Sequence, residues 1–214
     1  MSNESVNLWS EAGHATTYLE RRPGFPWADT AYVHLMELVP AAPRRVLDLG
    51  CGDGVVAARV VHERPGVEVV ACDFSEEMLA RARERFASNP NATVRDHDLD
   101  DPLPKEWGRF DAVVSAFAIH HVVDERKRAL YGEVLDCLEP GGVFCNLEHV
   151  ASPTPELHEA FLAALGTAPG DDDPSNKLVS VEQQLDWLRD LGFDQVDCHY
   201  KWREIALLVG VKAR

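Results

Sequence analysis

The run VLDLGCGDG at positions 46–54 limits what this chain can fold into more than any other segment. Apolar residues lead directly into Gly50, Gly52 and Gly54, and a second apolar, helix-compatible stretch follows. A buried strand, a tight turn and a helix N-terminus meet that order. Glycine lets the backbone reverse and come close to a ligand, and the helix start contributes unpaired N–H groups and partial positive charge. The dinucleotide fingerprint GxGxxG needs its third glycine where Val55 stands. An acid, Asp48, also precedes the first glycine. A carboxylate sits poorly beside a pyrophosphate and well beside an ammonium group.

Downstream, strands and helices alternate. A helix is expected from Asp53 to Glu63, closed by Pro65-Gly66, and VEVVACD (67–73) reads as the second strand. Ser75 caps a helix to Ala87 whose Met78, Leu79, Ala82 and Phe86 form one apolar stripe. ATVRD (92–96) and FDAVVSAFAI (110–119) read as strands three and four. A helix from Asp124, with Leu130, Val134, Leu135 and Leu138 inward, ends at a turn over Glu139–Gly142, and GVFCNLEHV (142–150) is the fifth strand. Continuous apolar strands between amphipathic helices imply a parallel sheet covered on both faces. Thr154 and Pro155 open a helix to Gly166, a polar loop covers 169–177, and Ser180 with Gln183 opens a helix to Gly192. DQVDCHYKW and EIALLVGVK lie too close together for a helical crossover, so they pair antiparallel. Before Pro40 and Pro43 the chain reads as helical, with Ala31, Leu35 and Leu38 at helical spacing.

A second acid, Asp73, closes the second strand 19 residues beyond Gly54. A carboxylate there can accept from both hydroxyls of a ribose lying across the sheet crest, or it can simply cap the next helix. With the glycine loop and this acid in place, the chain resembles the class I S-adenosylmethionine-dependent methyltransferases, by motif over residues 44–150. Asp48 to Gly54 matches the family's nucleotide loop, Asp73 its ribose acid, and HDLDDPLP (97–104) the segment after strand three. FDAVVSAFAIHHV (110–122) and LEPGG (138–142) match the segments at strand four and before strand five. The resemblance implies a Rossmann-like, doubly wound α/β fold: a mostly parallel seven-stranded sheet with an antiparallel C-terminal strand and an N-terminal helical lid. It also implies one domain over 1–214, with a helical cap (1–43), a cofactor-binding core (44–150) and a tail of helices and a hairpin (151–214). The cofactor implied is S-adenosyl-L-methionine, held by Asp48, Gly50, Cys51, Gly52, Asp73, Phe74, Asp98, Leu99, Ser115 and Tyr18. Asp98 would meet the adenine amino group and the Leu99 backbone the ring. LGFDQVDCHYKWREIALLVGVK (191–212) further resembles a bacterial subgroup near the tRNA wobble-uridine and carboxy-S-adenosylmethionine enzymes.

The active crevice of such a sheet lies beyond the carboxyl ends of its strands. His120 and His121 follow strand four there, and Glu148 and His149 end strand five. Histidine titrates near neutral pH and is the usual base, so His121, His149 and Glu148 are the catalytic candidates. Each can also serve only to hold crest loops. The pocket is expected above strands four and five, between the N-terminal helices and the C-terminal hairpin, with Tyr18, His121, Glu148 and His149 in its walls. Tyr18, Trp27, Tyr200 and Trp202 are candidate lid aromatics. Adjacent histidines aim poorly at one ion, so no metal is expected.

Lys and Arg number 21 against 36 Asp and Glu, a formal charge of −15. That field repels polyanions, so a small-molecule acceptor is expected rather than nucleic acid. A tRNA-base methyltransferase, a carboxy-S-adenosylmethionine-type enzyme and a non-catalytic cofactor-binding subunit are the alternatives. The five cysteines show no CxxC pair and read as small buried hydrophobes. MSNESVNLWS has no signal-peptide pattern, and no apolar run is long enough to span a membrane. A cytoplasmic protein is the expectation, and the sequence sets no oligomeric state.

Overall fold

The computed structural model describes residues 28–167 and 172–214. Its elements are α1 (Ala28–Leu38), β1 (Arg45–Leu49), α2 (Val55–Glu63), β2 (Glu68–Asp73), α3 (Glu76–Phe86), β3 (Ala92–Asp96), β4 (Phe110–Ala116), α4 (Asp124–Cys137), β5 (Leu138–His149), α5 (Pro155–Leu165), α6 (Val181–Leu191), β6 (Phe193–Trp202) and β7 (Ile205–Lys212). Short 3-10 turns cover Lys105–Trp107 and Ile119–His121. The strands form one seven-stranded sheet in the order β3-β2-β1-β4-β5-β7-β6. β3 to β5 run parallel, and β7 is antiparallel to both β5 and β6. Chain order reverses between β1 and β4, which opens a crevice at that point of the crest.

Alternation along each strand divides the core. Val46, Ala112, Val114, Leu207 and Val209 face a layer with α1, α2 and α5, where Ala31, Leu35, Val56, Val60 and Phe161 pack. Leu47, Leu49, Val113, Phe144 and Leu208 face the other layer, with Leu130, Tyr131 and Val134 of α4 and Leu185 and Leu188 of α6. This is the two-residue period of a strand buried on both sides. Thr154 and Ser180 cap α5 and α6 by accepting from the Leu157 and Gln183 N–H groups. All five cysteines are free thiols, and Cys51, Cys72 and Cys145 are buried.

Two element ends differ from the sequence expectation. β4 stops at Ala116 rather than at Ile119, because Phe117 takes a left-handed φ of 57° and turns the chain into the 3-10 turn that carries both histidines. The Glu139–Gly142 segment is not a separate turn. β5 begins at Leu138 directly after α4, and the register jumps between Phe110↔Leu138 and Ala112↔Val143, so these residues form a bulge. Tyr18, Trp9 and Trp27, and most of the expected N-terminal lid, lie outside the described residues. Among the described residues, no helix is long and apolar enough to cross a membrane.

Candidate cofactor and acceptor site

The crevice holds a cleft lined by Asp48, Gly50, Gly52, Asp73, Leu99 and His121. Its floor is the β1–α2 loop. Gly50 (φ 63°) and Gly52 (φ 54°) are both left-handed. A Cβ at Gly50 would lie 2.1 Å from the Ala118 Cβ, so glycine there lets the loop after β4 close down on the loop after β1. Among the described residues, a Cβ at Gly52 would meet only the Met78 Sδ, at 3.9 Å. That glycine leaves room on the cleft floor for a ligand. The Cys51 N–H donates to the Cys72 carbonyl at 2.8 Å, which pins the loop to β2.

Asp48 lies under this loop, 1% exposed. The N-cap of α2 is Gly54, which has no side chain to cap with. Asp48 fills that role from β1: its Oδ2 accepts from the Ala57 N–H at 3.0 Å. Its Oδ1 is buried with no hydrogen-bond partner among the described residues. Burial, with smaller contributions from Asp73 and Asp53, pushes its pKa up to about 8. A buried carboxylate oxygen with nothing to accept marks a place for a cationic donor. That fits the ammonium of S-adenosylmethionine, as the open face at Gly52 fits close approach of its backbone.

Asp73 takes the capping role that the sequence allowed, and a tie to the glycine loop besides. Its Oδ2 accepts from the Gly52 N–H at 2.8 Å and its Oδ1 from the Ser75 N–H at 2.9 Å, so it ties the loop and stabilises the start of α3. Burial raises its pKa against these backbone bonds. A carboxylate has about four lone-pair sites, which leaves capacity for a ribose. Phe74, Asp98 and Leu99 line the same cleft. The Leu99 carbonyl accepts from the Arg126 Nε at 2.8 Å. Arg126 also donates to the Asp101 carbonyl and pairs with Glu133, so α4 clamps the loop after β3. In the sequence Arg126 is only one of a basic run. His97 is a second residue that sequence patterns did not single out. It lines the cleft edge-on to Trp107, with its Nε2 buried and without a partner among the described residues, and burial lowers its pKa.

Ser115 lies off the cleft wall. It is fully buried and its hydroxyl donates to the Leu49 carbonyl, so it fastens β4 to β1. Tyr18 lies outside the described residues, and Tyr32 of α1 is the aromatic ring that reaches the cleft from the N-terminal side.

The structure separates the catalytic candidates. His121 lines the cleft. Glu148 and His149, expected beside it, lie one layer behind, because β5 directs Glu148 into the core. Glu148 meets the His120 Nδ1 at 2.6 Å, and burial pushes its pKa up to about 7 while lowering that of His120. Asn146 links Glu148 to the Tyr131 hydroxyl, which donates to Gln184. The His149 Nε2 is 2.8 Å from Glu204, which also meets His158. These polar chains brace the hairpin against the crest. The His120 ring lies 4.0 Å from the His121 ring and backs it. Burial lowers the His121 pKa to about 2, so its imidazole is neutral. Among the described residues no cluster of His, Cys, Asp and Glu could hold a metal ion.

Residues 46–142 match the family model of a methyltransferase domain. An uncharacterized methyltransferase of Mycobacterium tuberculosis H37Rv is 37% identical over 138 residues, covering 64% of this chain and 66% of that protein. The match therefore spans just under two thirds of that relative's own length. The carboxy-S-adenosyl-L-methionine synthase of Pasteurella multocida is 24% identical over 208 residues, covering 89% of this chain and 86% of its own. Human N-acetylserotonin methyltransferase, solved in complex with S-adenosylmethionine, superposes with a TM-score of 0.69 at 17% identity, covering 97% of this chain and 58% of that one. That likeness bears on the fold.

Proposed function

We propose that this chain, a member of the class I S-adenosylmethionine-dependent methyltransferases, methylates a small-molecule acceptor. When bound, the cofactor supplies an electrophilic methyl group. The protein's part is to hold cofactor and acceptor in line and keep water out, and proximity supplies most of the acceleration. Asp48 receives the ammonium group and Asp73 the ribose, while Asp98 and His97 stand at the adenine end. His121, a neutral imidazole on the cleft wall, orients the acceptor or takes its proton if it arrives protonated.

The single observation that carries this reading is the Asp48 Oδ1, unpartnered among the described residues, beneath the glycine floor, with Asp73 at the neighbouring strand end. The −15 charge favours a small acceptor over tRNA. The near-full-length match to a carboxy-S-adenosylmethionine synthase keeps a second reading in view, and the mass of any ligand that co-purifies separates the two. Calorimetric titration with S-adenosylhomocysteine tests the cofactor site. A charge-assisted hydrogen bond contributes about 1.5–3 kcal/mol, so Asp73→Ala weakens binding roughly ten- to a hundredfold. Unchanged affinity in a folded variant removes Asp73 from the site. A screen of small acceptors with methyl-labelled S-adenosylmethionine then identifies the substrate.

A further inference from the structure

The loop before α6 reaches back over the crest and docks on the two histidines. The Lys177 N–H donates to the His120 carbonyl at 2.8 Å, and its Nζ to the His121 carbonyl at 2.5 Å. Lys127 of α4 donates in turn to the Lys177 carbonyl. Inside this loop Ser175 is 2% exposed, and its Oγ lies 2.9 Å from the His121 Nδ1.

The direction of that hydrogen bond follows from proton counting. The Asp173 Oδ1 accepts from the Ser175 N–H at 2.8 Å and from the Ser175 hydroxyl at 2.7 Å. A hydroxyl has one proton, and here it is committed to Asp173. Only an oxygen lone pair then faces His121, so the Nδ1 must carry the ring proton. A neutral imidazole has one N–H. We propose that Asp173 and Ser175 form a positioning relay that fixes His121 as the Nδ1–H tautomer, so that its Nε2 is a proton acceptor at the cleft. This relay deepens the reading of His121 as the residue beside the acceptor, and makes the loop from 172 to 177 part of the site. With the opposite tautomer, the Nε2 would be a donor and unable to accept the proton of a hydroxyl, thiol or ammonium acceptor.

Long-range proton–nitrogen correlation spectra of protein labelled with 15N-histidine read the tautomer directly. His121→Asn serves only to assign the His121 signals among those of nine histidines. The expected wild-type pattern at His121 is a protonated Nδ1 and an unprotonated Nε2. Ser175→Thr keeps that pattern. Ser175→Ala shifts the ring toward the Nε2–H form, which neutral imidazole prefers in water. Asp173→Ala does the same, because the freed hydroxyl can donate to the Nδ1. An Nε2–H signal in the wild type overturns the proposal without any variant having to fold. So does a Ser175→Ala protein that stays Nδ1–H while its other histidine signals keep their wild-type positions. The spectra need neither cofactor nor acceptor, so failure of methyl transfer and failure of the relay are distinguishable.

Discussion

Asp48 carries two demands that conflict. It must be buried to cap α2 and, on the function proposed above, to face a cationic group, yet burial disfavours its charge and raises its pKa from 3.8 to about 8. The folded state therefore binds this proton more tightly than the unfolded chain does, and between those two values stability falls as pH rises. A tenfold difference in proton affinity between the two states corresponds to about 1.4 kcal/mol. Asp48→Asn keeps the shape and removes the titration. It should be more stable than wild type on the alkaline side of that range, by on the order of a few kcal/mol, and converge with it on the acidic side. The same variant should bind S-adenosylhomocysteine about tenfold or more weakly, having lost a charge-assisted bond. Calorimetric melts across that pH range check the first outcome, and matching profiles for the two proteins would show that Asp48 ionises freely in the folded state. At His121 the expected outcome of replacement by Ala is a kcat lower by about 10²–10⁴ with cofactor affinity kept. A raised KM with unchanged kcat would instead make it an orienting group. Ser175 and Asp173 could not be connected to His121 from the sequence, because the contact crosses 54 positions.

At the scale of elements, the loops after β1 and β4 meet so closely that each depends on the other. Gly50→Ala puts a side chain on a left-handed residue, at about 1–2 kcal/mol. It also forces a contact 2.1 Å from Ala118, where overpacking adds about 1–3 kcal/mol. The variant should lose about 2–5 kcal/mol in urea melts. Adding Ala118→Gly should return the packing part but not the conformational part. Full recovery in the double variant would mean that the backbone had flattened, and no recovery that the loops do not touch. Most elements were legible because local rules set them. The strands show apolar runs, α5 and α6 have side-chain caps at Thr154 and Ser180, and Gly166 and Gly192 end those helices in left-handed conformations. The end of β4 was not legible. AFAI continues the apolar run, and what stops the strand is the positive φ at Phe117, beyond which the chain turns over the crest.

Across the whole molecule, the excess of 36 acidic over 21 basic side chains sets the long-range field. Binding to nucleic acid rests on neutralising phosphates, so a gel-shift titration with tRNA or duplex DNA at physiological salt should give no sub-micromolar complex. Strongly salt-dependent tight binding would bring the tRNA alternative forward. The mostly parallel sheet with its antiparallel C-terminal strand, by contrast, was legible in the sequence, from apolar runs separated by helices and two closely spaced strands at the end, while the strand order came with the structure. The same local reading singled out Asp48, Gly50, Gly52 and Asp73, and the structure brings all four to one cleft. The tertiary structure alone decided what each crest side chain faces. His120, His121, Glu148 and His149 are equivalent candidates on paper. In the fold His121 lines the cleft, Glu148 is locked to His120, and His149 is held by Glu204 of the β6–β7 turn. Sequence patterns encode local conformation and which face is buried. Which polar partner meets a buried side chain depends on segments that only folding brings together.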